Sequence, residues 1–339
     1  MKPKVSIVVP LYNVEDYIER CARSLFRQTF TDVEYIFVDD SCQDKTMDLL
    51  KGVISDLNVQ QKVKICSHEQ NEGLAAARLD GLLMATGKYV LQVDSDDYVE
   101  MDYVEQLVNE AERTCSDIVI CDYYQDYGDR KTICHVNPPA EVNKCQELLM
   151  SGQMHNAVWN KLIRRSLYVD NGIKPIPGFN IFEDKIAMFQ LFYFAKRVSY
   201  VNKPLYYYNR TNCNSITSQD KSKLIQPAIG VIRLLQSFYS DKVVDENVSR
   251  AIVYFKISIM GLILLYGTKK QLKANRQLFG NPTVQQVMSQ PVVPFYYKWA
   301  VIAYIAKVPL LFKPIKMTLR LLNHFPALKR KLAYSASHQ

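Results

Sequence analysis

The sequence predicts an α/β protein with a mainly parallel sheet flanked by helices. Five short apolar runs have the length and β-branched content of buried strands, and they lie about 25–30 residues apart. They occupy residues 5–9, 34–38, 63–66, 89–93 and 118–121. Helical patterns separate them at residues 14–28, 44–58, 73–85 and 101–114. This alternation is typical of βαβ units, whose parallel sheets bind ligands, most often nucleotides, at the carboxyl ends of the strands.

Length and composition describe an ordinary globular protein with room for two domains. The chain has 339 residues, and its 48% apolar and 22% charged content argues against disorder. Its eight cysteines include no C-x-x-C pair, so we expect reduced thiols in a cytosolic protein, not a disulfide or zinc framework. Pro10 and Asn13 close the short N-terminal apolar run, and no stretch of ~20 uninterrupted apolar residues occurs. This pattern predicts neither a signal peptide nor a transmembrane helix.

Charge is unevenly distributed along the chain. Of the 42 Lys and Arg residues, 14 lie in the last 93 residues, where no Asp or Glu follows Glu246. The first 246 residues therefore hold 28 basic and 34 acidic residues, a net charge of −6 against +8 for the whole chain. A basic tail behind an acidic body indicates that the tail meets an anionic surface.

The last helical pattern favours a membrane as that surface. Ile315, Leu319 and Leu322 fall on one face of this predicted helix, and Lys316 and Arg320 fall on the other. Such a basic amphipathic helix can lie in an anionic membrane interface, although a helix packed on its own domain has the same pattern. The tail has no aromatic residues interleaved on a basic face, so we predict no nucleic-acid partner.

Two carboxylates follow the fourth predicted strand. Asp94 and Asp96 come one residue apart at its carboxyl end, an arrangement that suits a hard divalent cation carrying phosphate oxygens. A glycine-rich phosphate loop is missing, because the first glycine of the chain is Gly52 and no G-x-x-x-x-G-K-[ST] loop occurs. We therefore predict that a metal ion bound to these carboxylates binds the phosphates.

Residues after the other strands suit a nucleoside. Tyr12 follows the first strand and can stack on a base. Asp39 follows the second strand and can accept the imide N–H of uracil or an N–H of guanine; capping of the next helix is the alternative for this carboxylate. Arg78 lies in the first two turns of a helix, where it can pair with a nucleotide phosphate or with Asp94, or lie solvated on the surface.

Six segments in a fixed order resemble the family 2 glycosyltransferases with a GT-A fold. They read VSIVVPLYN, VDDSCQDKT, NEGLAAARLDGL, GKYVLQVDSDDYV, VWNKLIRRSL and FEDK, and the resemblance covers roughly residues 4–217. It implies an inverting transferase that uses a nucleotide-diphospho sugar and a divalent metal, Mn²⁺ or Mg²⁺. It also implies that residues 1–217 form the catalytic domain and that residues 218–339 form a helical, basic extension.

The resemblance assigns roles to the residues at the strand ends. Pro10, Tyr12, Asp39 and Arg78 would hold the nucleoside with Asn71 beside them, Asp94 would contact the ribose or a water molecule, and Asp96 would bind the metal. The sequence departs from the family pattern at Cys42, where a glycine is usual. This departure bears on the loop and on none of the expected ligands.

The acceptor side is expected at Glu183 and Asp184, which precede a helical pattern at residues 186–195. An inverting transfer needs one base to deprotonate the acceptor hydroxyl as it attacks. The resemblance makes Asp184 that base and gives Glu183 the task of orienting the acceptor or the sugar. A purely structural alternative exists, because carboxylates at a helix N-terminus are favoured by under ~1 kcal/mol.

Three further contacts with the donor or the acceptor are expected. Trp159 can stack on a sugar face or pack in the core, Lys161 can neutralise the diphosphate, and Arg210 can lie near it. His68 and His135 have no metal-type partners at useful spacing and are interpreted as structural.

Together these observations predict a cytoplasmic, metal-dependent inverting glycosyltransferase, peripheral at the inner face of the plasma membrane through its C-terminal helices. Its donor would be a nucleotide sugar, UDP-linked, and its acceptor a glycan or lipid-linked saccharide in cell-surface polysaccharide synthesis. The alternative is a non-catalytic nucleotide-sugar or membrane-binding protein of the same fold.

Overall fold

The computed structural model describes residues 2–212 and 221–308, and the chain divides into two compact units. The first unit contains residues 2–145 and 156–212, and the second contains residues 146–155 and 221–308. The amphipathic pattern predicted at residues 315–322 lies outside the described residues.

Four parallel strands form one half of the sheet in the first unit. They are β1 (Val5–Leu11), β2 (Val33–Asp39), β3 (Val63–Ser67) and β4 (Tyr89–Gln92), in the spatial order β3-β2-β1-β4. Every residue of β1 and β4 is buried, as expected of central strands covered on both faces. The four predicted strands are confirmed, and β1 extends two residues further than its apolar run because Pro10 and Leu11 still pair with β2.

The other half of the sheet is mixed. Strand β8 (Lys161–Arg164) lies antiparallel between β4 and β6 (Ile118–Asp126), and β9 (Val198–Asn209) runs parallel to β6. The short strands β5 (Tyr98–Val99) and β7 (Lys131–Cys134) pair antiparallel with β9 and β6. The α/β class is therefore confirmed, with a sheet that is parallel only as far as β4 and mixed beyond it.

Helices cover this sheet and complete its core. They are α1 (Ile18–Phe26), α2 (Thr46–Asp56), α3 (Leu74–Met84), α4 (Tyr103–Thr114), α6 (Arg165–Asp170) and α7 (Glu183–Phe194), with a 3₁₀ turn at Gln60–Lys62. Helix α5 (Val142–Ser151) begins in this unit and continues into the second. Helix α3 approaches β1 closely, because a Cβ placed on Gly81 would lie 2.2 Å from Cγ1 of Val8. This close approach packs α3 directly on β1.

The described part of the second unit is helical. It contains α8 (Ile225–Phe238), α9 (Glu246–Tyr266), α10 (Lys269–Ala274), α11 (Arg276–Phe279), α12 (Val284–Met288) and α13 (Phe295–Ile305), with a 3₁₀ turn at Lys221–Leu224. Helix α9 packs against the other five helices of this group. Among the described residues it is also the one helix long and apolar enough to cross a membrane, and 56% of its apolar window is buried inside the protein. Helix α9 is therefore the central helix of the described part of this unit.

Candidate active site

A cluster of charged side chains around Arg78 joins two distant parts of the first unit. Nη2 of Arg78 donates to Asp94 Oδ1 at 2.7 Å, and Nη1 donates to Glu183 Oε1 at 2.9 Å and to Asp184 Oδ1. The Arg78 side chain is 3% exposed, so the interpretation as a solvated surface arginine is wrong. The guanidinium thus brings the expected nucleotide-side carboxylate and both expected acceptor-side carboxylates into one group, which we call the Arg78 cluster.

The Arg78 cluster carries more negative than positive charge in a poorly solvated place. Burial raises the pKa of Glu183 to about 8, and the neighbouring charge of Asp184 adds to the rise while Arg78 opposes it. Burial likewise raises the pKa of Asp94 above its ordinary value, against the opposing effect of Arg78. Burial alone would lower the pKa of Arg78. The three carboxylates raise this pKa by more than burial lowers it, so the guanidinium stays charged.

Asp96 and Asp97 take different places in the turn after β4. Asp96 accepts a hydrogen bond from Asn212 Nδ2 at 2.8 Å, and burial together with the charge of Asp94 raises its pKa. Asp97 is fully buried and accepts from the Tyr206 hydroxyl at 2.6 Å and from the Asn209 backbone N–H at 2.7 Å. Asp97 therefore fastens the turn to β9, while the carboxylates of Asp94 and Asp96 retain partial access to solvent.

The residues of this turn fit a divalent cation that brings other ligands with it. The charge of Asp94 disfavours ionisation of Asp96 and is one cause of its raised pKa, and a cation bound beside both carboxylates would relieve this repulsion. In the described residues, no group of three or more His, Cys, Asp or Glu side chains forms a complete metal cage. Mg²⁺-type ions are commonly held by one or two carboxylates plus water and substrate phosphates, so this donor set is sufficient.

Candidate nucleoside contacts lie at the ends of the neighbouring strands β1 and β2. Leu11 pairs with Asp39, so Tyr12, with its side chain 48% exposed, follows directly beside Asp39. Oδ1 of Asp39 accepts a hydrogen bond from the Cys42 N–H at 2.8 Å and so stabilises the turn that follows β2. Since this N–H lies before α2 begins, the bond does not support the helix-cap alternative. Pro10 is buried near the carboxyl end of β1.

The loop before α3 is supported by residues that the sequence interpretation left unassigned. Asp40 accepts from the backbone N–H groups of Glu72 at 2.7 Å and Gly73 at 2.8 Å, and this anchors the exposed Asn71 that precedes them. His68 lies between Asp40 and Asp80, with Nδ1 2.8 Å and Nε2 2.9 Å from their carboxylate oxygens. This position confirms the structural interpretation of His68.

Two of the expected sugar or phosphate contacts are corrected by burial. Trp159 is 3% exposed and stacks on Tyr206 with a centroid distance of 4.4 Å, so it packs in the core, and the sugar-stacking interpretation is wrong. Lys161 is 0% exposed, and its Nζ donates to Ala157 O at 2.6 Å and to Asn160 Oδ1 at 2.7 Å. An ammonium group enclosed in this way does not reach a diphosphate.

Arg210 keeps an accessible position at the end of β9. It is exposed, and its guanidinium carbon lies 5.4 Å from the ring centroid of Tyr208. Its neighbours Asn209 and Asn212 both hydrogen-bond to Asp96, through the backbone carbonyl at 3.1 Å and the carboxylate at 2.8 Å. Sequence reasoning missed these two asparagines, because they lie more than a hundred residues from the carboxylate that they contact.

Comparisons with known proteins identify related sequences. The family model "Glycosyl transferase family 2" matches residues 6–172. The putative glycosyltransferase EpsH of Bacillus subtilis (strain 168) is 29% identical over 325 residues, which cover 90% of this chain and 92% of EpsH.

Solved structures share the fold at low sequence identity. The structure of S. aureus TarS 1-349 in complex with UDP has a TM-score of 0.70 and 18% identity, over 95% of this chain and 92% of that one. The mannosyltransferase PcManGT from Pyrobaculum calidifontis, in complex with GDP-Man and Mn²⁺, has a TM-score of 0.54 and 15% identity, over 99% and 88% of the two chains. Taken together with the geometry above, these matches show that the chain belongs to glycosyl transferase family 2 and is a glycosyltransferase with the α/β fold of that family.

Proposed function

We propose that this enzyme is a metal-dependent, inverting glycosyltransferase that uses a UDP-linked sugar. Its acceptor would be a glycan or lipid-linked saccharide in cell-surface polysaccharide synthesis, and it would act in the cytoplasm at the membrane surface. Residues 1–217 would form the catalytic domain and residues 218–339 its helical extension. The observation that carries the proposal is the Arg78 cluster, because it joins Asp94, at the end of a sheet strand, to Glu183 and Asp184, at the start of α7.

Asp184 is the proposed general base. Arg78 holds its Oδ1, and its Oδ2 lies 3.4 Å from the Val158 N–H, so the carboxylate is oriented before any acceptor arrives. The side chain is 21% exposed, which leaves an acceptor hydroxyl a route to it. A carboxylate suffices as base because the hydroxyl loses its proton as the new bond to the anomeric carbon forms.

Glu183 is the proposed orienting group. Its pKa of about 8 keeps the carboxyl protonated at neutral pH, so it can donate a hydrogen bond to an acceptor or sugar oxygen. A second ionised carboxylate beside Asp184 would repel the developing alkoxide, and protonation of Glu183 avoids this repulsion.

Asp96 is the proposed protein ligand of a Mn²⁺ or Mg²⁺ ion, with Asp94 beside it on the nucleotide side. When bound, such an ion offsets the negative charge that develops on the leaving diphosphate. Asn212 holds the Asp96 carboxylate in place, and Arg78 does the same for Asp94. The Mn²⁺ in the structure of PcManGT, which shares the fold, supports a divalent metal in this enzyme.

Tyr12, Asp39 and Asn71 are the proposed nucleoside contacts. Pro10, at the end of β1, would lie beside the nucleoside, and Arg210 would lie near the diphosphate. Tyr12 and Asn71 are exposed and Asp39 is partly exposed, all beside the carboxyl ends of β1 and β2 or at the start of α3. The exposed ring of Tyr12 suits stacking on a base, and the Asp39 carboxylate suits an imide N–H. UDP in the TarS structure supports uracil as the base.

The Asp184→Asn variant tests the proposed function. A thermal-shift screen of UDP-sugars with Mn²⁺ first identifies a donor, since a bound donor raises the melting temperature. Asparagine keeps the shape and can still accept from Arg78, so UDP and Mn²⁺ should bind within about twofold of wild type. Transfer to a panel of octyl glycosides should fall by about 10²–10⁴-fold, the usual contribution of a general base.

The exposed carboxylate of Asp170 provides a matched control, and Asp170→Asn should leave both binding and transfer unchanged. Asp184→Asn protein that has lost metal-dependent UDP binding, or that transfers sugar at the wild-type rate, would refute the assignment of Asp184 as base.

A further inference from the structure

The outer face of α13 is apolar although it faces solvent. Phe295 is 49% exposed and Trp299 is 52% exposed, and Ala306 is exposed beyond them on the same face with Ile302 half-buried between. These four residues have the spacing i, i+4, i+7 and i+11, which places them along one side of a helix. The opposite side of α13 is also apolar and packs against α9. A helix that is apolar all round normally has both sides covered, so this outer face lacks an occupant in the described structure.

The exposed apolar surface extends from α13 to the preceding segment. Met288 at the end of α12 and Val292 in the connection are both exposed, and Lys298 Nζ of α13 donates to the Met288 carbonyl at 3.0 Å. This hydrogen bond places Met288 beside the first two turns of α13. We refer to Met288, Val292, Phe295, Trp299 and Ile302 as the α13 apolar patch. A patch of this composition marks an interaction surface, since monomeric proteins seldom leave such residues together in water.

The charged residues near the α13 apolar patch indicate what kind of partner it binds. Lys298 and Lys307 flank the patch, and no Asp or Glu occurs in the chain after Glu246. Two tyrosines, Tyr296 and Tyr304, lie on the sides of the same helix and are partly exposed. Aromatic residues at the sides of a helix, an apolar face and neighbouring lysines in a stretch of chain without acidic residues are the features of a helix that lies in an anionic lipid interface.

We propose that the α13 apolar patch inserts into the interface of an anionic lipid bilayer, with Phe295 and Trp299 at the boundary between headgroups and acyl chains. Helix α13 has 11 residues, about half the ~20 that a membrane span requires, so it lies in the plane of the interface. The inference deepens the proposed membrane location by naming the surface that carries it. It requires neither the donor, the metal nor the acceptor, so it can fail while the proposed transfer activity stands.

The chain contains its own reporter for this insertion. It has two tryptophans, Trp159 in the core of the first unit at 3% exposed and Trp299 in the patch at 52% exposed. The full-length protein is titrated with vesicles of phosphatidylcholine alone and with an equimolar mixture of phosphatidylcholine and phosphatidylglycerol. Only the anionic vesicles should shift the emission to shorter wavelength, and lipids brominated on the acyl chains should quench it. The Trp299→Phe variant should lose both signals, because the core Trp159 does not reach lipid.

Phe295→Ser then measures the contribution of the patch to binding. Half of a phenylalanine side chain is removed from water on insertion, so partitioning into the anionic vesicles should weaken about five- to tenfold. Val243→Ser is the matched control, since Val243 is 93% exposed in the same unit but belongs to another segment, and its partitioning should equal that of wild type. Thermal shift with the donor and Mn²⁺ should be unchanged in both variants and reports the proposed function separately.

Two results would overturn the proposal. Protein that pellets with anionic vesicles while the Trp299 emission stays unshifted binds through another surface. Emission from Trp299 that is already at short wavelength without vesicles shows that protein, either this chain or a second copy, covers the patch in solution.

Discussion

Glu183→Gln should stabilise the protein at neutral pH while impairing transfer. The pKa of Glu183 is about 8 in the folded protein against 4.5 for an ordinary glutamate. Between these values the folded state keeps a proton that the unfolded state releases, so this carboxyl makes the free energy of unfolding fall as pH rises. Its destabilising effect is absent below about pH 4.5 and complete above about pH 8.

The magnitude follows from the same pKa difference. The 2.5 pH units between 4.5 and 7, at about 1.36 kcal/mol per unit, correspond to about 3 kcal/mol of lost stability at pH 7. Glutamine has no proton to lose and can still accept the hydrogen bond that Arg78 Nη1 donates to Glu183. The variant should therefore gain about 3 kcal/mol at pH 7 and almost nothing near pH 4.5.

Urea unfolding at several pH values between about 5 and 8 measures this gain in stability. Donor and metal are left out, because either would stabilise the folded state by binding to it. A Trp299→Phe background leaves Trp159 as the sole tryptophan, so emission excited selectively from tryptophan reports the first unit alone. Asp48→Asn is the matched control, because Asp48 is likewise an acidic residue in the first turn of a helix of the same unit, but exposed. That control should lose under ~1 kcal/mol through the weakened helix-dipole interaction. A Glu183→Gln variant whose stability equals that of wild type at every pH would refute the linkage.

Two further predictions concern the turn after β4 and the loop before α3. Asp96→Ala should abolish the stimulation of donor turnover by Mn²⁺ or Mg²⁺, and a variant whose rate still falls to the metal-free level on chelation would contradict the assignment of Asp96 as ligand. Burial lowers the pKa of His68, but its hydrogen bonds to Asp40 and Asp80 more than offset this and leave it above the ordinary value. The stabilisation by His68 is therefore complete below about pH 6.5 and is lost as pH rises through the folded pKa, and His68→Gln should remove this decline in the melting temperature. An identical pH profile of the variant and wild type would count against it.

The parallel half of the fold could be predicted because its signal is local. A central strand buried on both faces is a short apolar run, and β1, β2 and β4 are found where that pattern predicts them. Strand β3 is also found at its predicted place, but it lies at the edge of the sheet and is largely exposed. The mixed half could not be predicted in the same way. Strand β8 is only four residues long and pairs antiparallel with both of its neighbours, and nothing in its sequence states which strands will lie beside it.

The site was predictable as a list of residues and not as a geometry. The motifs pointed to Asp94, Asp184 and Arg78, yet the contact between Arg78 and Asp184 spans 106 positions and depends on how α7 returns to the sheet. Trp159 and Lys161 were placed wrongly for a related reason. Their residue types suit sugar and phosphate, but burial is decided by the strands around them, and both are enclosed.

Arg78 is a counterion shared between the proposed donor side and the proposed acceptor side of the reaction. Any ligand that draws Asp94 away from the guanidinium leaves the positive charge of Arg78 to Glu183 and Asp184 alone, and this lowers the pKa of Glu183. Thermodynamic linkage makes the effect reciprocal, so the protonation state of the acceptor side also sets the affinity of that ligand. A ligand bound at the end of β4 and a proton bound at Glu183 therefore weaken each other's binding, whichever of the two binds first.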